Sequence, residues 1–411
     1  MTTLSDLCNT LALWLAQSAA DDPHWSADTW SRFKLISRVH GIAPALHVIL
    51  NSSDWLDAEI KNWLAEQADL NAQRVAKMQA ELAAILALLA RHGLPAMPLK
   101  GSVLAARYYE DASLRPMADL DLLVRPQDFA QVGQLLAQLG YHQEVAHWKH
   151  TEFVKPDNRQ AVTFEAEHPD NPRKVEVHRY CRESFGGPSI DLTEIMWDHS
   201  DEGTLLGERA IIPRPEALWL HLLVHHTYHA WQGKARLIQL VDLVKLSPHL
   251  SRPECLLDSV DARFVYPSLA LWQRYFPNAE ADAWAVAQRE RVSAGFRQWV
   301  DGLDLVNTSH LNPNPPGLYL TKALKFSEGR PGEIGQALRF ALLPAVEELA
   351  LDHPRLAQSR RPVAGLRAAA PGLAQAAAPD HRRTTTDRQT VGRVDPTYAA
   401  VMFDIQKTFL T

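Results

Sequence analysis

Apolar residues recur at helical spacing through the first part of the chain. Ser26 is placed to cap a helix over Ala27–Val39, Gly41 ends that helix and Pro44 opens the next. Between 67 and 91, Leu70, Val75, Met78, Leu82, Ile85, Leu86 and Leu89 keep close to a helical period, and His92-Gly93 stops the run. Residues 1–94 therefore read as a helical region. The period then changes. Residues 95–99 are a short apolar run ending beside a glycine, as a buried strand would, and 103–109 return to helical character. Asp119–Val124 alternates and then becomes wholly apolar, which suits a central strand. Pro126 sits in the first turn of a helix over 127–139, ended by Gly140. Three more strands are predicted at 152–155, 161–167 and Lys174–His178, separated by proline- and asparagine-rich turns. From Arg214 the helical period returns, runs through Leu246 and continues less regularly to about Ala350.

Helices beside a mixed sheet predict an α+β core over 95–204, set between the helical region 1–94 and a second helical domain over 205–350. Residues 351–411 include an Ala-, Arg-, Pro- and Thr-rich stretch without sustained period, read as a disordered or loosely docked tail.

The 411 residues are 46% hydrophobic and 22% charged, ordinary values for a globular protein. The formal net charge of −6 argues against wholesale wrapping of nucleic acid and leaves a local basic groove open. Cys8, Cys181 and Cys255 lie far apart with no CxxC, so reduced, mostly buried thiols are expected rather than a disulfide scaffold. The N-terminus lacks the basic flank and cleavage site of a signal peptide, and no run approaches the roughly 18 apolar residues of a membrane span. A cytoplasmic protein with no membrane partner is expected.

Candidate chemistry concentrates between Leu99 and Val124. Asp119 and Asp121 are two apart on a predicted strand, so their side chains leave the same face. Carboxylates held that close repel unless a cation lies between them, and oxygen ligands favour Mg2+ or Mn2+. A solvent-facing pair would need no metal, but Leu120, Leu122, Leu123 and Val124 mark the strand as buried. Lys100-Gly101-Ser102 stands where a strand ends and a helix begins. Free backbone N–H groups there favour phosphate, Gly101 permits close approach, and Ser102 adds a hydroxyl. Arg115 is placed either to grip a polyphosphate or to sit as a solvated loop arginine.

His221, His225 and His229 stack every four residues on one helix face, spaced either to bind zinc or a substrate phosphate or to fill a core beside Trp219, Leu222 and Trp231. His225 and Arg236 are candidates for a nucleotide or acceptor pocket, and Asp242 is expected to partner Arg236 or a histidine. His147, Trp148 and His150 form a further cluster that could meet an acceptor.

The segment KGSVLAARYYEDASLRPMADLDLLVRPQDFAQVGQLLAQLGY resembles the signature of the uncharacterised nucleotidyltransferase family, a branch of the DNA polymerase β-like superfamily. His40-Gly41-Ile42-Ala43-Pro44, Val175-Glu176-Val177-His178-Arg179 and the series His225, His229, Arg236 and Asp242 extend the resemblance over about residues 30 to 345. The resemblance implies a polymerase-β-like core and a third carboxylate on a neighbouring strand. Glu176 is the match, with Glu165 and Glu167 as competitors. It further implies Asp119, Asp121 and Glu176 as metal ligands and catalytic residues, with two Mg2+ ions bridging an NTP substrate and the attacking group. Lys100, Gly101, Ser102, Arg115, His225 and Arg236 would bind the nucleotide. The expected reaction moves a nucleoside monophosphate onto a hydroxyl or phosphate of a small molecule, sugar-phosphate or peptide, releasing pyrophosphate. Two alternatives share the scaffold: a catalytically degenerate nucleotide-binding or regulatory protein, and a toxin-like transferase acting on RNA ends. The mildly acidic charge counts against the second.

Overall fold

The computed structural model describes residues 2–156, 160, 168–312 and 318–342. The strand expected at 161–167, with Glu165 and Glu167, and the tail over 351–411 lie outside the described residues. Helices α1 (Leu4–Gln17), α2 (Ala27–Val39) and α3 (Ala43–Leu50) lead into the long α4 (Ala58–Arg91). The α2 N-terminus is held by Ser26 Oγ, which accepts from the Thr29 N–H at 3.3 Å. Helix α4 starts nine residues ahead of the periodic apolar run, where the Asp57 side chain accepts from the Glu59 N–H at 2.7 Å. Its first half buries Gln67, Asn71 and Arg74. Polar residues on the inner face hide that part of the helix from a hydrophobic reading.

Next come β1 (Ala96–Pro98), α5 (Gly101–Arg107), β2 (Asp119–Val124), α6 (Phe129–Gln138), β3 (His142–Ala146), β4 (His150–Val154) and β5 (Lys174–His178). The five strands form one mixed sheet in the order β1-β2-β5-β4-β3. Strand β2 runs parallel to β5 and the other neighbours are antiparallel. Every residue of β2 after Asp119 is buried, as its apolar run requires. At the outer edge, β3 is polar and exposed, and a register shift between Gln143 and Val145 breaks the ladder there. Two hairpins follow, β6 (Arg182–Ser184) with β7 (Ser189–Asp191), and β8 (Ser200–Leu205) with β9 (Glu208–Pro213), separated by α7 (Thr193–Asp198). Helices α8 (Pro215–Gln232) and α9 (Leu237–Leu246) form a second wall. Beyond them lie α10 (Glu254–Leu257), α11 (Tyr266–Tyr275), α12 (Ala279–Glu290), α13 (Ala294–Asp301), α14 (Leu318–Phe326) and α15 (Pro331–Leu342). The architecture is α+β, a small mixed sheet flanked by many helices. Among the described residues no helix is long and apolar enough to cross a membrane. Cys8, Cys181 and Cys255 are free thiols, the first two buried and the third exposed.

The N-terminal helices close onto α9 through the turn after α2. The His40 ring accepts the Leu237 N–H at Nδ1 (3.2 Å), and the Ile238 N–H donates to the His40 carbonyl at 3.1 Å. Burial holds the His40 imidazole neutral, pushing its pKa down to about 3. Gly41 follows with φ +69°, and a Cβ there would stand 3.3 Å from Ile238 Cγ2. Gly41→Ala is therefore expected to cost about 1–2 kcal/mol from the left-handed backbone alone, with the Ile238 contact added. Gly93→Ala is the control, because Gly93 has a similar φ of +67° and open space around it. Urea denaturation should show the larger loss at Gly41; equal losses would remove the role given to Ile238.

Candidate active site

One face of the sheet collects the charged residues because strands alternate and the register is fixed. On β2 and β5, Asp119 pairs with Lys174, Asp121 with Glu176 and Leu123 with His178. On β4 and β5, His150 pairs with His178 and Glu152 with Glu176. Asp119, Asp121, Glu176, His178, His150 and Glu152 thus share a side. They line a cleft of about 470 Å³ whose opposite wall is α8, α9 and the turn between them.

Asp121 is the most constrained of these. Its backbone N–H donates to Ser102 Oγ at 2.8 Å, and its carbonyl accepts the Leu99 N–H at 3.0 Å. On its side chain, Lys100 Nζ (2.7 Å) and His178 Nε2 (2.9 Å) both meet Oδ1, so neither engages Oδ2. Burial would raise the Asp121 pKa, but the Lys100 charge and the His178 hydrogen bond outweigh it and hold the carboxyl well below the usual range. Burial would likewise depress His178, yet hydrogen bonds to Asp121 and Glu176 raise it. Lys100 carries this ion pair from a strained backbone, with φ +49° at a non-glycine residue where β1 turns into α5.

Asp119 differs. Among the described residues no hydrogen bond or ion pair meets its carboxylate. Burial, then the charges of Asp121 and Glu176, push its pKa up to about 7. An acid whose native pKa stands above the ordinary 3.8 favours the folded state most at low pH, and that contribution fades as pH rises towards 7. A divalent cation would cancel the loss by compensating the ionised form. Added Mg2+ or Mn2+ is therefore expected to raise the melting temperature more at pH 8 than at pH 5. Equal shifts at both pH values would contradict a cation held by Asp119.

The phosphate-facing residues expected from sequence are differently placed. Ser102 is buried with its hydroxyl on the Asp121 backbone and is not part of the cleft lining. Gly101 does line the cleft, packed so closely that a Cβ would lie 3.0 Å from Met117 Cγ. Arg115 also lines it, but its guanidinium is engaged. Nε and Nη2 donate to the two oxygens of Asp242 at 2.7 Å each, and Nη1 donates to the Pro116 carbonyl. Tyr109 Oη adds a third hydrogen bond to Asp242 at 2.7 Å. Asp242 thus partners Arg115 and Tyr109 rather than Arg236 or a histidine, because α9 brings it across the loop ahead of β2.

Of the histidine series, His225 and His229 reach the cleft and His221 does not. Burial first lowers all three pKa values, followed by the Lys100 charge at His221 and His225 and by the neighbouring His225 at His229, so the ladder is neutral at pH 7. His225 Nδ1 lies 3.1 Å from Glu183 Oε1, and Lys149 Nζ meets Glu183 Oε2 at 2.7 Å. Lys149, Glu183 and Lys234 went unread in the sequence. Lys234 stands two residues before Arg236, after Gly233 in left-handed conformation (φ +76°) ends α8, and both line the cleft. No described carboxylate pairs with either. Burial and Arg236 lower the Lys234 pKa. Basic residues just past a helix end were the available signal.

After these pairings the cleft is divided. Asp119 and Glu176 leave negative charge at the sheet end, and Lys234 and Arg236 leave positive charge at the helix end. The family model described as uncharacterised nucleotidyltransferase matches residues 26–264, more than half of the chain, and this span holds every residue named in the cleft. No curated protein and no solved structure matches the chain. Matched motifs and matched span agree: the chain belongs to the uncharacterised nucleotidyltransferase family.

Proposed function

We propose that the chain is a metal-dependent nucleotidyltransferase that moves a nucleoside monophosphate from an NTP to a hydroxyl or phosphate of an acceptor. The observation that carries this reading is Asp121 facing Glu176 across parallel strands, with the unpaired Asp119 on the same face. Three carboxylates with too little positive charge among them are a fitting donor set for Mg2+ or Mn2+, and Asp119, Asp121 and Glu176 would hold it. When bound, such a cation neutralises charge developing on the phosphate oxygens.

The chain's own residues supply the rest. Lys234 and Arg236 draw the polyphosphate to the helix end of the cleft, where neither forms an ion pair with a described carboxylate. The acceptor oxygen bonds to the α-phosphorus as the bond from that phosphorus to the bridging oxygen breaks, and pyrophosphate leaves. Glu176 would take the proton of an acceptor hydroxyl. Arg115, held by Asp242, positions the loop ahead of β2 rather than gripping phosphate.

The test is incubation with each labelled NTP, Mg2+ or Mn2+, and panels of small-molecule, sugar-phosphate, peptide and RNA acceptors, following pyrophosphate. Lys234→Ala and Arg236→Ala are expected to weaken NTP binding roughly tenfold each, the worth of about 1.4 kcal/mol. A wild type that neither binds NTP nor releases pyrophosphate would overturn the reading. One observation favours a second reading, a nucleotide sensor without turnover: Asp121 already has its counter-charge in Lys100. Metal-dependent NTP binding with no product from any acceptor would select it.

A further inference from the structure

The Glu176 side of the cleft carries more nitrogen than an oxygen-only metal site needs. His178 Nε2 lies 3.4 Å from Glu176 Oε2 and 2.9 Å from Asp121 Oδ1. His150 Nε2 lies 3.9 Å from Glu176 Oε2 and 3.9 Å from Glu152 Oε1. The last two separations exceed hydrogen-bond length. A mostly buried imidazole thus faces two carboxylates and bonds to neither. Its other nitrogen, Nδ1, is buried with no hydrogen-bond partner. A gap of this kind suits an ion. Two ligands of a tetrahedral centre with bonds of about 2.1 Å stand roughly 3.4 Å apart, within the range seen between these atoms.

We propose that His150, Glu176 and His178 form a mixed nitrogen-and-oxygen site for a divalent transition metal. Register produces it. His150 and His178 are paired residues on β4 and β5, while Asp121 is paired with Glu176 across β2 and β5. Two adjacent strands therefore aim three ligand atoms at one region, and Glu176 supplies the negative charge among them. Imidazole ligands suit Fe2+, Ni2+, Cu2+ and Zn2+, and Mn2+ accepts them more readily than Mg2+, which prefers oxygen donors and retained water. The site selects a transition metal over Mg2+. The inference shares Glu176 with the transferase reading but does not depend on turnover.

The experiment uses the full chain, stripped by chelator, with Mn2+ alone as the probe. Pulsed electron paramagnetic resonance should show histidine nitrogen coupling that changes on 15N-histidine labelling. His150→Ala should remove part of that coupling and weaken Mn2+ binding by roughly tenfold or more, with Mg2+ affinity unchanged. His150→Asn preserves polarity and carries the same comparison if alanine lowers the melting temperature. His147→Ala, outside the ligand set, should leave Mn2+ binding as in wild type. Oxygen-only Mn2+ coupling in the wild type, or coupling and affinity untouched in both His150 variants, overturns the proposal. Absent pyrophosphate release alongside nitrogen-coupled Mn2+ would instead count against the transferase reading alone.

Discussion

Arg74→Ala should lower the unfolding free energy by about 4 kcal/mol or more and abolish metal binding in the cleft. Arg74 is buried on α4, and its guanidinium donates to four backbone carbonyls. Met117 (3.0 Å) and Ala118 (3.0 Å) immediately precede β2, while Asn171 (2.8 Å) and Pro172 (3.0 Å) lie just ahead of β5. One side chain therefore fixes the relative height of the two strands whose register sets Asp121 against Glu176. Alanine leaves the four carbonyls without the donor they were folded around, and each buried acceptor so abandoned costs about 1–3 kcal/mol. The planar fork matters as well as the charge. Arg74→Lys offers three donors on one atom and should recover only part of the loss. Urea titration gives the stability, and Mg2+-induced change in melting temperature reports the register. An alanine variant within about 1 kcal/mol of wild type, still stabilised by Mg2+, would refute the clamp.

Arg74 also illustrates where a sequence stops being legible. Its partners lie 43, 44, 97 and 98 positions away, so nothing local announces it. Legible elements were those whose pattern and punctuation agreed. Ala27–Val39 is a helix with Ser26 as its cap, and Asp119–Val124 is a strand with those limits, because an apolar run and a defined start coincide. Strand β3 escaped notice because an exposed polar edge has no hydrophobic face to show. Hairpin β8–β9 turns at Leu206-Gly207, both with positive φ, and leucine there gives no turn signal. In the cleft, the carboxylates could be read because spacing of two on a strand puts them on one side. The pairing of Arg115 with Asp242, 127 positions apart, could not. Long-range ion pairs depend on how α9 closes on the sheet, and that is a property of the whole fold. The basic pair Lys234 and Arg236 was half visible: the arginine through the family pattern, the lysine not at all.

Asp119→Asn and Asp121→Asn should each slow nucleotidyl transfer at least about a thousandfold, the rate equivalent of roughly 4 kcal/mol, while moving stability in opposite directions. The shared loss follows from the proposed metal role, since an amide oxygen lacks the charge that holds a divalent cation beside a polyphosphate. The opposite stability effects follow from their neighbours. Asp121 is the buried partner of Lys100 and His178, so Asp121→Asn strands a mostly buried ammonium and should destabilise the chain by about 3 kcal/mol or more. Asp119 has no such partner and is opposed by two carboxylates. Asp119→Asn removes that repulsion, so the metal-free variant should melt above wild type at pH 8 and lose the Mg2+-induced gain. Turnover by pyrophosphate release and melting curves at pH 8 measure both effects on the same samples. A stable, metal-insensitive Asp119→Asn that keeps a tenth of wild-type turnover would remove Asp119 from the catalytic set. An Asp121→Asn variant as stable as wild type would show that Lys100 does not depend on it.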